Sequence, residues 1–168
     1  MKDWISLFIE TTGDNFDYDE IDFISAIKFI DGIEVANFYR KIETDYILEI
    51  ENNVQESSAY KKDFYSSDQN YTFRQPYIDL KDFIGDLTLV SHYKFFEKQF
   101  LKDALNANGL DMIQNNWIDT QESLILQNNY GGSLQDVMDY LDMKLDNELN
   151  SNFLPNYAIK KIYNRILN

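Results

Sequence analysis

The sequence predicts an α/β fold in which a mixed sheet is flanked by helices. Three apolar runs of strand length open the chain, and Asp31-Gly32 separates the second from the third. Short apolar runs and segments of helical periodicity then alternate, and helices close the chain. Such alternation builds an α/β sandwich, and an antiparallel hairpin at its start makes the sheet mixed rather than wholly parallel. The 168 residues are predicted to form one domain, over residues 1–168.

The first three strands are predicted over Trp4–Ile9, Ile21–Ile30 and Ile33–Ile42. Asp31-Gly32 suits a type I′ turn, because both central residues of that turn have positive φ and Gly tolerates it. Residues 43–76 have the weakest pattern of the chain and are interpreted as loops around a short helix.

Helical periodicity and short apolar runs predict the remaining elements. After the Gly131-Gly132 break, Leu134 and Val137 begin an i, i+3, i+4, i+7 stripe, and Ser133 is the expected N-cap. The predicted helices cover Tyr77–Ile84, Phe95–Asn108, Ser133–Leu141 and a segment from about Pro155, and the predicted strands cover Leu87–Val90 and Trp117–Ile118.

Composition and charge exclude several classes of function. The chain has 0 Cys, which removes disulfides and thiol catalysis, and a single His argues against a structural zinc site. The formal net charge of -14 repels phosphate backbones unless cations are focused or metal is bound, which disfavours generic nucleic-acid coating. No apolar run approaches the roughly 18 residues of a membrane-spanning helix, and the start does not resemble a signal peptide. The expectation is a cytoplasmic protein without a membrane partner.

Four segments carry motifs in a specific order: Phe8-Ile9-Glu10-Thr11-Thr12-Gly13, Leu89–Glu97, Asp119-Thr120 and Ser151–Tyr163. The first is similar to Asp-x-Glu-Thr-Thr-Gly, the second to Leu-Val-Ala-His-Asn-x-x-Phe-Asp, and the fourth to His-x-Ala-x-x-Asp-Ala. With an Asp-Thr after a strand between them, they resemble the DEDD 3′–5′ exonucleases, specifically the proofreading epsilon subunit of bacterial DNA polymerase III. The resemblance implies a ribonuclease H-like fold with a five-stranded mixed sheet. It also implies two divalent metal ions held by four carboxylates, and a His as general base.

The departures from the family pattern fall on its chemistry. Phe8 stands at the first Asp, Ser151 at the general-base His and Asn156 at the last Asp. Glu10 and Glu97 are the retained acids, and they are expected to be vestigial catalytic residues and weak metal ligands or none. All five positions are expected to converge on one cleft, because their family counterparts do. Losing half the anionic ligands predicts no tightly bound cofactor.

Nucleotide contacts are implied at Thr11-Thr12-Gly13, which lies against the 3′-terminal nucleotide in the family, and at His92. His92 has an alternative interpretation, in which it anchors a loop through hydrogen bonds. Lys94, Lys98 and Lys102 recur at i, i+4, i+8 and form either a phosphate contact line or a solvated face paired with acids.

Three functions stay open at this point. The expected one is a non-catalytic pseudo-exonuclease that binds a protein partner, for example in a replication or repair assembly. The alternative is an active or weakly active 3′–5′ exonuclease on single-stranded ends, which would use Mg²⁺ or Mn²⁺ on Glu10, Glu97 and Asp119. The third is a weak, non-cleaving binder of single-stranded nucleic acid. Whether the chain is an enzyme is left open by the sequence.

Overall fold

The computed structural model describes residues 3–42, 73–146 and 148–167, so most of the predicted loop segment 43–76 lies outside the described residues. No helix among the described residues is long and apolar enough to cross a membrane. The strands are β1 (Trp4–Thr11), β2 (Ile21–Ile30), β3 (Ile33–Lys41), β4 (Thr88–Ser91) and β5 (Trp117–Asp119). The helices are α1 (Arg74–Ile84), α2 (Lys94–Ala107), α3 (Thr120–Asn128), α4 (Leu134–Tyr140) and α5 (Leu154–Leu167), with a 3₁₀ helix over Ser151–Phe153.

The five strands form one mixed sheet, as expected, and their order is β3-β2-β1-β4-β5. β2 is antiparallel to both β1 and β3, whereas β4 is parallel to β1 and to β5. Asp31 has φ 50 and Gly32 has φ 79, which confirms the type I′ hairpin. The parallel strands β1, β4 and β5 end at one edge of the sheet, where the α/β architecture places binding sites.

The two faces of β1 belong to different parts of the core. The odd-numbered residues from Ile5 to Ile9 pack in a cluster with α1 and α2. Trp4 and Phe8 pack in a second cluster with residues of α5. Because strand side chains alternate between faces, Glu10 leaves the strand on the same face as Phe8, as the spacing predicts.

Two helices differ from the sequence-based expectation. α1 begins at Arg74 rather than Tyr77, because Pro76 is tolerated in a first turn and does not stop the helix. α3 was not predicted, since its apolar residues Leu124–Leu126 are consecutive and give no helical stripe. Asp119 nevertheless starts α3, because its side chain caps two backbone N–H groups of the first turn.

The predicted N-cap of α4 is confirmed. Ser133 Oγ accepts a hydrogen bond from the N–H of Asp136 at 3.2 Å, and the Asp136 carboxylate accepts one from the N–H of Ser133 at 3.0 Å. This reciprocal capping box fixes the first turn of α4 against the chain that precedes it.

Candidate functional site

A pocket of about 290 Å³ lies at the edge of the sheet where β1 ends and α2 begins. It is lined by five residues singled out from the sequence, namely Phe8, Glu10, Thr11, His92 and Glu97. Its other lining residues, which sequence reasoning did not assign to a site, are Ile9, Tyr93, Phe96, Gln121 and Gly132–Leu134. The Gly131-Gly132 pair is the feature of the sequence that could have indicated the Gly132–Leu134 part of the wall. Two glycines just before a helix mark a chain reversal, and such a reversal can form the rim of a cleft.

Phe8 places an aromatic ring where the family resemblance places its first carboxylate. The ring centroid lies 6.0 Å from that of Phe23, and the side chain is partly buried against the α5 side of the core. A phenyl ring offers no lone pair to a cation such as Mg²⁺, which prefers oxygen ligands. Glu10 is exposed at the end of β1, where the pairing register with β2 shifts between Glu10 and Thr11.

Glu97 is buried in the first turn of α2, with 4 % of its surface exposed. Burial raises the pKa of its carboxyl well above the usual value, the nearby Ser91 hydroxyl and Ile9 backbone lower it in part, and the Asp119 charge raises it further. Among the described residues, no hydrogen-bond partner reaches its Oε2. This environment favours the neutral carboxyl in the metal-free protein.

Asn156 is fully buried on α5 and is bonded to two strands. Its Nδ2 donates to the carbonyl oxygens of Ser6 at 3.1 Å and Ser25 at 3.2 Å, and its Oδ1 accepts from Ser25 Oγ at 2.7 Å. Ser25 is paired with Phe8 across β1 and β2, and Ser6 lies one same-face position before Phe8, so the Asn156 amide lies beside Phe8 on that face of the sheet. The amide therefore holds α5 against β1 and β2.

Ser151 is exposed at the first position of the 3₁₀ helix. The side chain of Asn150 accepts a hydrogen bond from the N–H of Asn152 at 3.0 Å, which fixes this turn. Neither Ser151 nor Asn156 is among the residues that line the pocket. Of the five positions expected to converge, the structure gathers Phe8, Glu10 and Glu97 around the pocket and places Asn156 beside Phe8 through its bonds to Ser25, whereas Ser151 is exposed.

Both ring nitrogens of His92 are bonded within the chain. Nε2 lies 2.9 Å from the carbonyl oxygen of Gly132, and Nδ1 lies 2.8 Å from Thr120 Oγ1. Because a carbonyl only accepts, Nε2 carries the proton of a neutral ring, and Nδ1 then accepts from the hydroxyl. Burial lowers the pKa of His92 despite the opposing effect of the hydrogen bond that the ring donates to the Gly132 carbonyl, which agrees with a neutral ring. His92 thus anchors the loop before α4, and neither nitrogen is available to replace the missing general base.

Asp119 caps two helices at once. One carboxylate oxygen accepts from the backbone N–H groups of Gln121 at 2.9 Å and Glu122 at 3.2 Å, and the other accepts from the N–H of Lys94 at 3.0 Å. Three backbone donors therefore engage the carboxylate that the alternative function would use as a substitute metal ligand.

Two lysines of the basic stripe on α2 have partners in the chain. Lys94 forms an ion pair with Glu122 at 3.0 Å, and Lys98 Nζ lies 5.7 Å from the centroid of the Trp117 ring. These contacts favour the interpretation of a solvated, paired face over a phosphate contact line.

The Thr11-Thr12-Gly13 motif fastens an acidic loop to the end of β1. The N–H of Thr12 donates to the carbonyl oxygen of Glu20 at 2.9 Å, and Thr12 Oγ1 donates to Asp19 Oδ1 at 3.1 Å. A side chain at Gly13 would collide with the Asp19 carboxylate, so a larger residue there would displace that carboxylate from its hydrogen bonds to the loop.

The residues present do not fit the two-metal centre that the resemblance implies. Within the ranges that the structure describes, no group of three or more His, Asp or Glu side chains is placed to share a metal ion. Of the acids around the site, Glu97 is buried and the Asp119 carboxylate is engaged by three backbone donors. A divalent cation gains most from anionic oxygens, and this donor set supplies too few of them.

Comparison with known proteins identifies the fold. No family model matches the chain. Over 128 residues it is 29% identical to the DNA polymerase III PolC-type of Latilactobacillus sakei subsp. sakei (strain 23K), a match that covers 71% of this chain and 8% of that much longer protein. Among solved structures, the 3′-exonuclease that recognises the 3′ end of a histone mRNA stem-loop has a TM-score of 0.72 at 15% identity, covering 99% of this chain and 81% of that one.

Two further structures give the same result. The nuclease domain of 3′hExo, a DEDDh family member, has a TM-score of 0.69 at 15% identity, covering 99% of this chain and 92% of that one. Exonuclease X has a TM-score of 0.61 at 14% identity, covering 96% and 92% of the two chains. The chain therefore has the ribonuclease H-like fold of the DEDDh 3′–5′ exonucleases, and the predicted fold class is confirmed.

Proposed function

We propose that the chain is a pseudo-exonuclease, a domain that uses an exonuclease fold to bind a protein partner and does not hydrolyse nucleic acid. The proposal rests on one observation above all: the Phe8 ring forms the pocket wall where the family resemblance places the first metal-binding carboxylate. The engaged amide of Asn156 supports it, because both of its polar atoms are hydrogen-bonded to β1 and β2.

The chemistry of phosphodiester hydrolysis gives the proposal its physical basis. Two-metal hydrolysis needs carboxylates that hold both cations, and a general base that activates the attacking water. Loss of a general base alone costs typically about 10²–10⁴ in rate. Here Ser151 is exposed outside the pocket and both nitrogens of His92 are engaged, so neither residue is placed to act as that base.

The proposed partner is a protein of a cytoplasmic replication or repair assembly. The similarity to a stretch of a PolC-type DNA polymerase III supports this setting. The formal net charge of -14 favours a basic protein surface over a phosphate backbone. Binding of single-stranded nucleic acid is expected to be weak and to disappear as salt is raised.

A cleavage assay tests the absence of hydrolysis. The parent chain is incubated with 5′-labelled single-stranded DNA and RNA in Mg²⁺ or Mn²⁺, beside a Glu10→Gln variant prepared in the same way. The expected result is no shortening of the oligonucleotides above the level of the variant. Shortening that Glu10→Gln abolishes would overturn the proposal in favour of the active exonuclease.

Binding measurements separate the remaining candidates. Calorimetric titration with Mn²⁺ is expected to give no pair of strong sites. Fluorescence anisotropy of the same labelled oligonucleotides is expected to show weak binding. Tight binding at about 0.15 M salt, without cleavage, would replace the protein-binding function with that of a single-stranded end binder.

A further inference from the structure

Two exposed aromatic residues and one half-buried one, Phe16, form a patch beside the mouth of the pocket. Phe95 is 59% exposed and Tyr93 is 49% exposed, and their ring centroids lie 6.4 Å apart. The ring of Phe16 packs edge-on against Phe95, with 6.0 Å between centroids. Phe16, Tyr93 and Phe95 are called the aromatic patch below. Large exposed rings in mutual contact mark an interaction site more often than scattered single ones do.

The loop that carries Phe16 is acidic. Asp14 and Asp17 flank Phe16 on either side and are exposed. Among residues 3–42, 73–146 and 148–167, the ion pairs join Arg40 to Asp79 and Lys94 to Glu122, so neither loop carboxylate is neutralised by a basic side chain. The loop does not need a partner to take its shape, because the Asp19 carboxylate accepts from the Asn15 N–H at 2.9 Å and from Thr12 Oγ1 at 3.1 Å.

Ring faces beside carboxylates select for an organic cation. The face of an aromatic ring attracts a cation, and arginine stacks on such rings while its guanidinium forms paired hydrogen bonds to a carboxylate. A phosphate backbone would instead be repelled by Asp14 and Asp17. We propose that the aromatic patch and the acidic loop together dock an arginine-bearing segment of a protein partner.

The proposal deepens the proposed function, since it rests on the chain being a protein-binding domain and states the chemistry of the partner. It predicts that arginine binds better than lysine, a preference that charge alone does not give. Arginine and lysine carry the same charge, but lysine is a compact, strongly hydrated ammonium that gains less from stacking on a ring. Arginine must therefore bind better than lysine wherever the rings take part.

Three matched peptides test the proposal: acetyl-Gly-Arg-Gly-Arg-Gly-amide, its lysine counterpart, and its neutral citrulline counterpart. Each is titrated into the ¹⁵N-labelled full chain while amide resonances are followed. The arginine peptide is expected to shift the amides of residues 13–18 and 93–96. It should bind several-fold more tightly than the lysine peptide, and the citrulline peptide should cause no shift.

Variants of the chain separate the contribution of the aromatic rings from that of the loop carboxylates. Phe95→Ser is expected to remove the preference for arginine over lysine, and Asp14→Asn combined with Asp17→Asn to weaken both cationic peptides. Leu126→Ser, at an apolar residue 81% exposed on α3, is the matched control and should change neither. All spectra also report whether each variant is folded.

The proposal is overturned by shifts spread evenly over the acidic surface, or by a Phe95→Ser variant that keeps the preference. It is also overturned if a dodecamer of thymidylate shifts the same amides more strongly than the arginine peptide. These outcomes are independent of the cleavage assay. A failed peptide titration leaves the absence of hydrolysis standing, and detected hydrolysis leaves a positive titration standing.

Discussion

The two halves of the site that the family resemblance predicts have changed in different ways. Where β1 meets α2, the corresponding positions still meet, because Phe8, Glu10 and Glu97 line one pocket. In the segment that leads into α5, Ser151 faces solvent, and Asn156 lies beside Phe8 with its amide bonded to β1 and β2 rather than open to the pocket. The side chains of the first half line the pocket, whereas the Asn156 amide of the second half joins α5 to the sheet.

The difference teaches that a ligand position can be lost in two ways. A replacement that still lines the pocket, such as Phe8, leaves the backbone where the original side chain would need it. A replacement that holds strands together, such as Asn156, makes the fold depend on the new residue. Introducing the family's residue at such a position then lowers the stability of the fold, in addition to its effect on metal binding.

The largest expected effect comes from Asn156→Asp. Asn156 donates from Nδ2 to the carbonyl oxygens of Ser6 and Ser25, and an aspartate would place a buried carboxylate against both acceptors. An uncompensated buried charge costs about 3–5 kcal/mol. We expect urea unfolding to show a loss of this order at pH 7, and a smaller loss at pH 4, where the carboxyl takes up a proton.

Asn152→Asp, on the same segment but only partly buried, is the matched control and should stay within about 0.5 kcal/mol of the parent. If Asn156→Asp were as stable as the parent at pH 7, the second half of the site would be as easily restored as the first, and the contrast between them would fail.

A smaller loss is expected for Phe8→Asp. The Phe8 ring is partly buried against Phe23 and the α5 side of the core, so its removal should cost about 2 kcal/mol, below the roughly 3–5 kcal/mol of a fully buried Phe. The new carboxylate lines the pocket, yet Glu97 favours its neutral form and Asn156 is engaged. We therefore expect calorimetry to show no strong Mn²⁺ site in this variant. Strong Mn²⁺ binding by Phe8→Asp alone would show that the first half suffices for a metal.

Glu97→Gln is expected to stabilise the protein above about pH 5. The pKa of Glu97 is raised in the folded state, so between its unfolded value near 4.3 and its folded value the folded state retains a proton that the unfolded state has released. Stability therefore falls as pH rises through that window. Glutamine resembles the neutral carboxyl in shape and removes this dependence.

Thermal melts of parent and Glu97→Gln from pH 4 to pH 8 provide the measurement. The two curves should nearly coincide at pH 4 and separate as pH rises, with each kcal/mol worth about 2–4 °C for a chain of this size. Glu122→Gln, at the exposed acid that pairs with Lys94, is the control and should show no such divergence. Parallel pH profiles for parent and Glu97→Gln would mean that Glu97 is ionised in the pocket.

The fold was predictable from the sequence because its strands and most helices carry strong hydrophobic periods. The Asp31-Gly32 turn and the Ser133 cap also act locally, so short segments suffice to recognise them. α3 was missed because Asp119, and not an apolar stripe, determines its start. A single capping residue is a weak predictor of a helix when no apolar stripe accompanies it.

The candidate site was predictable only in its first half. The spacing within β1 places Phe8 and Glu10 on one face, since a strand alternates with a period of two. The fate of Asn156 depends on Ser6 and Ser25, which are 150 and 131 residues away in the chain, and no local pattern reports such a contact. A polar residue at an apolar position of α5 was the only signal that a buried hydrogen bond was required.

Ser151→His is the smallest expected effect, and it tests the boundary between the two halves. Ser151 is exposed and lies outside the pocket wall, so the change should alter stability by no more than about 0.5 kcal/mol. A solvated imidazole there should titrate near its ordinary pKa of about 6.5. NMR titration of the ring protons measures this directly. His92 is the internal reference in the same spectra, because burial lowers its pKa and its signals should change at lower pH.

If the new histidine instead titrated a unit or more above 6.5, a carboxylate of the pocket would lie close enough to stabilise its charge. The two halves of the site would then still form one electrostatic unit, and the restored base would face the acids that it served in the family.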